Sequence, residues 1–287
     1  MHITILIIVT YIACCLRVGA APWKFFQINA GYFSKDQGIF SKLSIDGLIP
    51  DRWRLSQVPD DGTIIPDHYP VFMKPEWGQN AHGIHRADNF AELQQIRHNL
   101  RNQAVQQQYI MQEGAPGTRE FEIFSIDVSK NDGQHDVVTV TEAVNKTETN
   151  PINSKYNKNT RYVDISKHFS TAELAILGGH LDEVGRFAIS RMSVRADSYE
   201  QLVAGNFHVI EVNLFLPMPI NLLDDSYSWR VRFSFIRRSM MSLALATKAI
   251  KPEKKPPAVF TSMMLYGRRK SAPARNINKL GARRTQP

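Results

Sequence analysis

Between Tyr69 and Ile84 the chain reads YPVFMKPEWGQNAHGI: a short apolar run that ends in Lys74, then a polar loop bracketed by Gly78 and Gly83. Pro70 and Pro75 bound the run, and a residue with no N–H cannot extend a ladder, so residues 69 to 74 are expected to form one short strand. Glycines let loop backbone approach a ligand closely and turn its N–H groups toward an anion, while a lysine supplies a point charge for phosphate oxygens. A strand that delivers a lysine beside such a loop suits a polyphosphate. The spacing is not that of a P-loop, where the lysine follows the last glycine, nor that of the dinucleotide fingerprint. A hairpin loop with a surface lysine has the same local pattern.

A chain of 287 residues can bury a substantial core in one large domain or two small ones. The net charge of +8 points toward nucleic acid or membrane until its distribution is considered. From Lys248 to Pro287 there are eleven Lys/Arg against one acid, Glu253, leaving 24 Lys/Arg against 26 Asp/Glu in residues 1 to 247. The body is therefore slightly acidic. Residues 251 to 287, rich in proline and arginine, are expected to be a basic flexible tail that touches an acidic partner.

The two cysteines, Cys14 and Cys15, are adjacent in an apolar N-terminal segment, which leaves no disulfide framework or cysteine metal site for the rest of the chain. Residues 1 to 22 read either as a secretory signal with small residues near Ala20 or as a short membrane anchor flanked by Arg17 and Lys24. If the body uses ATP, the anchor and a cytoplasmic face are favoured; export is the alternative.

Residues 23 to 62 read as irregular, with serine-lysine pairs at Ser34-Lys35 and Ser41-Lys42. Asp88 is expected to cap a helix from Phe90 to Leu100, where Phe90, Leu93, Ile96 and Leu100 recur at helical spacing. Strands are expected at Gln108 to Glu113, Arg119 to Ile126, Asp136 to Glu142, Phe187 to Val194 and Phe207 to Asn213. Ser170 is expected to cap a helix interrupted at Gly178 and Gly179, and a Met-, Leu- and Ala-rich helix spans about Ser228 to Ile250. Mixed rather than alternating elements point to α+β layers.

Side chains alternate along a strand, so Glu211 and Asn213 share one face and His208, Ile210 and Val212 the other. A carboxylate and an amide oxygen two residues apart form a half-site for a hard cation such as magnesium, which uses few protein oxygens together with substrate phosphates. Arg191, Ser193 and Arg195 also share a face, and pairing of the two strands would set a guanidinium beside that half-site. A solvated polar face is the plainer reading of both.

Four segments in order, YPVFMKP with its loop GQNAHGI, YIMQEGAPGTREFEI, RMSVRADS and FHVIEVNLFLP, resemble those of ATP-grasp enzymes of the D-alanine–D-alanine ligase-like kind. The resemblance covers about Trp23 to Thr247. It implies an α+β ATP-grasp fold over residues 23 to 250, with two subdomains clamping ATP and Mg2+. Lys74 and Lys42 then match phosphate-binding lysines, and Gly78, Gln79, Asn80, Ala81, His82 and Gly83 match the loop that closes over the phosphates. Glu113, with Gly114 and Ala115, falls at the adenine hinge, and Glu120 matches the acid that accepts from the ribose hydroxyls. Arg191 matches the arginine that steadies the transferred phosphoryl group, and Glu211 and Asn213 match the magnesium ligands. The implied reaction is activation of a small carboxylate or amino-acid-like substrate as an acylphosphate for attack by an amine-like nucleophile.

The sequence departs from the pattern at Ser193, where an aspartate bridging metal ions is usual, so one anionic ligand is missing and magnesium is expected to bind more weakly unless a nearby acid such as Asp197 or Asp182 substitutes. The substrate-choosing N-terminal domain is expected to be lacking ahead of Lys42. A non-catalytic ATP-binding regulator or scaffold of the same fold is the alternative function.

Overall fold

The computed structural model describes residues 3–78, 81–103, 108–128, 134–147, 149–251 and 255–271. Gln79 and Asn80, and the tail beyond Ser271, lie outside the described residues. In chain order the elements are α1 (Ile3–Val18), α2 (Lys42–Asp46), β1 (Gln57–Pro59), β2 (Val71–Pro75), β3 (His85–Ala87), α3 (Phe90–Arg101), β4 (Tyr109–Glu113) and β5 (Arg119–Ile126). They continue with β6 (Val137–Val144), β7 (Arg161–Asp164), α4 (Thr171–Val184), β8 (Ile189–Ala196), α5 (Tyr199–Val203), β9 (His208–Asn213), α6 (Trp229–Lys248) and α7 (Val259–Ser271). The fold is α+β with two sheets, both antiparallel throughout.

The smaller sheet has the order β1-β4-β2-β3. Val71, Met73, Ala87 and Met111 point from it onto Leu93 of α3. The cap of α3 is Asn89 rather than Asp88: the Asn89 side chain accepts from Glu92 N–H, and Glu92 in turn accepts from the backbone N–H of Asp88. Arg97, on the buried side of α3, pairs with Asp60 and donates to the Ile64 carbonyl at 2.8 Å, tying the helix to the segment that follows β1.

The larger sheet has the order β7-β6-β5-β8-β9 and carries the main core on one face: Phe121 and Ile123 from β5, Val140 from β6, Met192 and Val194 from β8, Val209 and Val212 from β9. Helix α4 covers this face through Leu177, Leu181 and Val184. A capping box between Ser170 and Glu173 starts α4, and the helix runs unbroken through Gly178 and Gly179, Gly178 being buried. Glycine at a closely packed helix position costs about 1 kcal/mol against alanine, which surrounding contacts outweigh here. Trp53 stacks on Phe207 with ring centroids 4.6 Å apart, and its Nε1 donates to the Gly205 carbonyl.

Helix α1 is built into the body. Tyr11, Cys14 and Cys15 are buried among Phe124, Ile126, Ile189, Ile236 and Met240, and the Tyr11 hydroxyl is 2.9 Å from Thr247 Oγ1 of α6. Among the described residues no single helix is long and apolar enough to cross a membrane.

Candidate active site

The two sheets meet at a cleft of about 300 Å³. β2 and β4 line one side; β5, β8 and β9 line the other. Lys42, Lys74, Gly78, Ala81, His82, Glu113, Ala115, Glu120, Arg191, Glu211 and Asn213 all reach this cleft, so sequence positions up to about 170 residues apart converge on one surface. Gly83 and Gly114 do not line it. Gly83, at φ +77°, has Tyr109 and Pro75 where a side chain would project. Gly114 donates its N–H to the Pro70 carbonyl at 2.8 Å and leaves no room for a Cβ against that oxygen.

Lys74 is 4 % exposed. Its Nζ donates to Gln112 Oε1 of β4 and lies 3.5 Å from the Ile210 carbonyl. Burial drives its pKa down to about 8, Lys42 adds to the fall, and Glu211 opposes it. Gln112 also donates from Nε2 to the same Ile210 carbonyl at 3.1 Å. That carbonyl is available because Ile210 is the extra residue of a β-bulge: Ser193 pairs with Glu211 and Val194 with Val209. The bulge breaks the strict alternation expected of β9. Val209 and Val212 both enter the core, Glu211 and Asn213 face the cleft, and Ile210 lines the cleft with them.

Ser41 caps α2 by accepting from Ser44 N–H and donates its hydroxyl to Glu76, fixing the start of the helix. Lys42 is thereby held with Nζ 2.9 Å from the Pro75 carbonyl and 3.9 Å from Glu211 Oε1. Two lysines from separate elements thus approach Glu211.

Strands β8 and β9 pair as the sequence suggests, with Arg191 opposite Asn213 and Ser193 opposite Glu211. The carboxylate beside Ser193 is neither Asp197 nor Asp182. Asp197 accepts from Thr118 N–H, and Asp182 lies 3.2 Å from His135 Nε2. Glu122 of β5 stands opposite Ser193 and accepts from its hydroxyl at 2.9 Å, with Arg191 Nε 3.1 Å away. Burial raises the Glu122 pKa; Arg191 and Ser193 oppose the rise, and Glu211 adds to it. The REFEI segment carried the missed signal, since Glu120 and Glu122 fall on one face of a strand.

Glu120 faces Arg195 across β5 and β8, and burial with Glu122 nearby raises its pKa to about 7 against the pull of Asn153, Arg195 and Lys74. Arg195 donates to the Gly117 carbonyl at 3.1 Å. Gly117, at φ +100°, has the Ala196 backbone 3.0 Å from where a Cβ would sit, so this turn admits glycine and little else. Asn153 and Lys155, from a loop that reads in sequence as merely polar, also line the cleft. Arg86 of β3 holds that loop by donating to the Asn150 carbonyl at 3.0 Å, which links the two sheets.

The donor set fits a hard cation with phosphates. Glu122, Glu211, Ser193 and Asn213 offer oxygens on one wall of the cleft, and buried like-charged carboxylates gain from a cation between them. Lys42, Lys74, Arg191 and Arg195 supply positive charge around them.

No family model and no curated protein matches the sequence. By structure the chain is similar to an L-amino acid ligase from Bacillus licheniformis, at 14 % identity and a TM-score of 0.46, over 76 % of this chain and 50 % of that one. It is similar to the ATP-grasp ligase PsnB, complexed with a phosphomimetic variant of minimal precursor, Mg and ADP, at 13 % identity and a TM-score of 0.42, over 72 % of this chain and 59 % of that one. It is also similar to a D-alanine–D-alanine ligase from Bacillus anthracis complexed with ATP, at 13 % identity and a TM-score of 0.43, over 80 % and 67 % of the two chains. The chain spans between half and two thirds of the length of these structures. What the cleft of this chain does rests on the cleft's own residues.

Proposed function

We propose that the chain binds ATP with Mg2+ in the cleft between the two sheets and uses it to activate a small carboxylate for attack by an amine-like nucleophile. The observation that carries this reading is the convergence of Lys42, Lys74 and Arg191 with Glu122, Glu211 and Asn213 on one cleft. Phosphoryl transfer asks a protein for positioning and charge neutralisation more than for a covalent group, and this lining offers both. Lys74 and Lys42 would hold the α- and β-phosphates, with Gly78, Ala81 and His82 of the same lining closing round them. Ala115 is the hinge residue in the cleft wall, Gly114 having committed its N–H to Pro70, so the adenine edge falls to Ala115 and Glu113. Glu120 would accept from the ribose.

Glu122, Glu211 and Asn213 would hold the magnesium, whose chemistry is to neutralise the phosphate charge. Arg191, 3.1 Å from Glu122, would steady the transferred phosphoryl group and the carboxylate it joins. Formation of an acylphosphate makes the acyl carbon electrophilic enough for an amine. No serine, cysteine or histidine nucleophile is needed.

The deciding experiment is Mg2+-dependent binding of ATP followed by ADP release over a panel of carboxylates and amines, with Lys74→Ala and Glu211→Ala as controls. Binding and turnover that both controls abolish support the reading. Binding without turnover on any pair of substrates would favour a regulator of the same fold, and no nucleotide binding would refute both.

A further inference from the structure

Helix α1 is apolar all round, yet only one side of it is in the core. Tyr11, Cys14 and Cys15 face inward, while Ile5, Ile8, Val9, Ile12 and Leu16, on the adjoining side, are exposed, Leu16 at 71 % and Val9 at 58 %. At 100° per residue these five fall within one arc, so they form a continuous stripe on a helix about 24 Å long. A stripe of this kind marks a surface that something covers. The helix cannot swing away to bury it, because Tyr11 is hydrogen-bonded near Pro22 and Thr247 and packs edge-on against Phe25.

The charge around the stripe identifies the covering phase. Neither α1 nor its neighbour α6 contains an acidic residue, and together they carry six Lys/Arg. Arg232 is spent on the Leu222, Asp224 and Tyr227 carbonyls, but Arg17, Arg230, Arg237, Arg238 and Lys248 are exposed. Arg17 of α1 and Arg237 of α6 are both close enough to Cys14 for their charge to act on its thiol. On α6, exposed Trp229, Val231 and Leu245 are interleaved with the basic residues. Apolar side chains rimmed by cations, with an indole at one end, are the chemistry of a helix lying in the headgroup region of an anionic bilayer. The slightly acidic remainder of the body would be repelled by the same surface, which orients the contact. We propose that the α1–α6 face docks on an anionic lipid surface, lying in the interface rather than crossing it. Helix α1 also brings Thr4 into the cleft wall, so the docked element and the candidate active site are continuous.

The test is flotation of the full chain with vesicles of phosphatidylcholine plus phosphatidylglycerol, and with phosphatidylcholine alone. The expected result is salt-sensitive binding to the anionic vesicles that drops on the order of tenfold in Ile8→Glu/Ile12→Glu and in Arg237→Glu/Arg238→Glu. Circular dichroism and ATP binding, read on the same samples, should match the unsubstituted chain. If the apolar pair fails to fold as the glutamates, Ile8→Ser/Ile12→Ser replaces it, and the exposed arginine pair stands as an independent arm. Undiminished vesicle binding by these variants would assign the contact to the basic tail and overturn the proposal. Absence of vesicle binding, with a dimer in solution that Ile8→Glu/Ile12→Glu dissolves, would make the face an interface between copies and overturn it equally. Nucleotide binding is untouched in either case, so the reading of the cleft stands or falls separately.

Discussion

Ser193 Oγ donates to Glu122 Oε2 at 2.9 Å across the β5–β8 pairing, so a carboxylate from the neighbouring strand stands beside a position where β8 itself offers only a hydroxyl. An oxygen ligand need not come from the strand position where a pattern places it. It need only reach the same point in the cleft. Glu122→Gln should therefore weaken Mg2+-dependent nucleotide binding on the order of tenfold with little change in fold, as calorimetric titration with and without Mg2+ would report. Equal affinity for wild type and variant would remove Glu122 from the site.

Ser193→Asp should behave as a magnesium switch. It would set a second carboxylate against Glu122 where a hydroxyl now donates, and like charges at that distance disfavour one another. Without metal the melting temperature should fall on the order of 2–4 °C, and Mg2+ should restore it. A melting temperature indifferent to Mg2+ would speak against a cation at this wall.

The Lys74 ammonium is pushed down to about 8 from 10.5 by burial. Between those values the unfolded chain holds the proton and the folded chain does not, so the lysine's contribution to stability rises with pH across that window. A polyphosphate needs the charged form, so its affinity should fall as pH climbs past about 8 while the apo protein gains. In Lys74→Met both trends should vanish, and nucleotide affinity should drop on the order of thirtyfold, from loss of a charged hydrogen bond.

Glu120 titrates in the opposite sense. Its folded value, about 7, lies above the unfolded 4.5, so its contribution is fully present below about pH 4.5 and is lost as pH rises through about 7. Urea midpoints of the apo protein over that range should decline less in Glu120→Gln than in wild type. Parallel curves would mean that Glu120 is solvated and ionised throughout.

The Arg97–Asp60 pair anchors α3 to the smaller sheet, with the two side chains 2 % and 8 % exposed. Removing the carboxylate alone leaves a buried guanidinium, a change that typically costs about 3–5 kcal/mol. Asp60→Ala should lose about that much in chemical denaturation, while Asp61→Ala, one residue on and exposed, should leave the midpoint nearly unmoved.

Much of this was legible in the residue order. The strands at Tyr109–Glu113 and Arg119–Ile126 and the helix that starts after Ser228 lie within a residue or two of where pattern and capping chemistry place them. Lys74 on its strand, and Glu211 and Asn213 on theirs, reach one cleft. Other expectations failed for physical reasons. Asn89 rather than Asp88 caps α3, since two adjacent residues of similar capping preference differ only in which reaches the Glu92 N–H. Gly178 and Gly179 stay helical because packing around them outweighs their intrinsic cost.

What the sequence determined by itself is local: the strand that carries Lys74, the alternation that turns Glu211 and Asn213 to one side, the apolar helix at residues 3 to 18. What the tertiary structure decided is pairing. Glu122 meets Ser193, the bulge at Ile210 hands its carbonyl to Lys74 and Gln112, and α1 buries one flank on α6 while leaving the other bare. Register between strands some seventy residues apart, and the face a helix gives to a distant neighbour, are settled by the packing of the whole core, and no stretch of local sequence holds enough of that core to specify them.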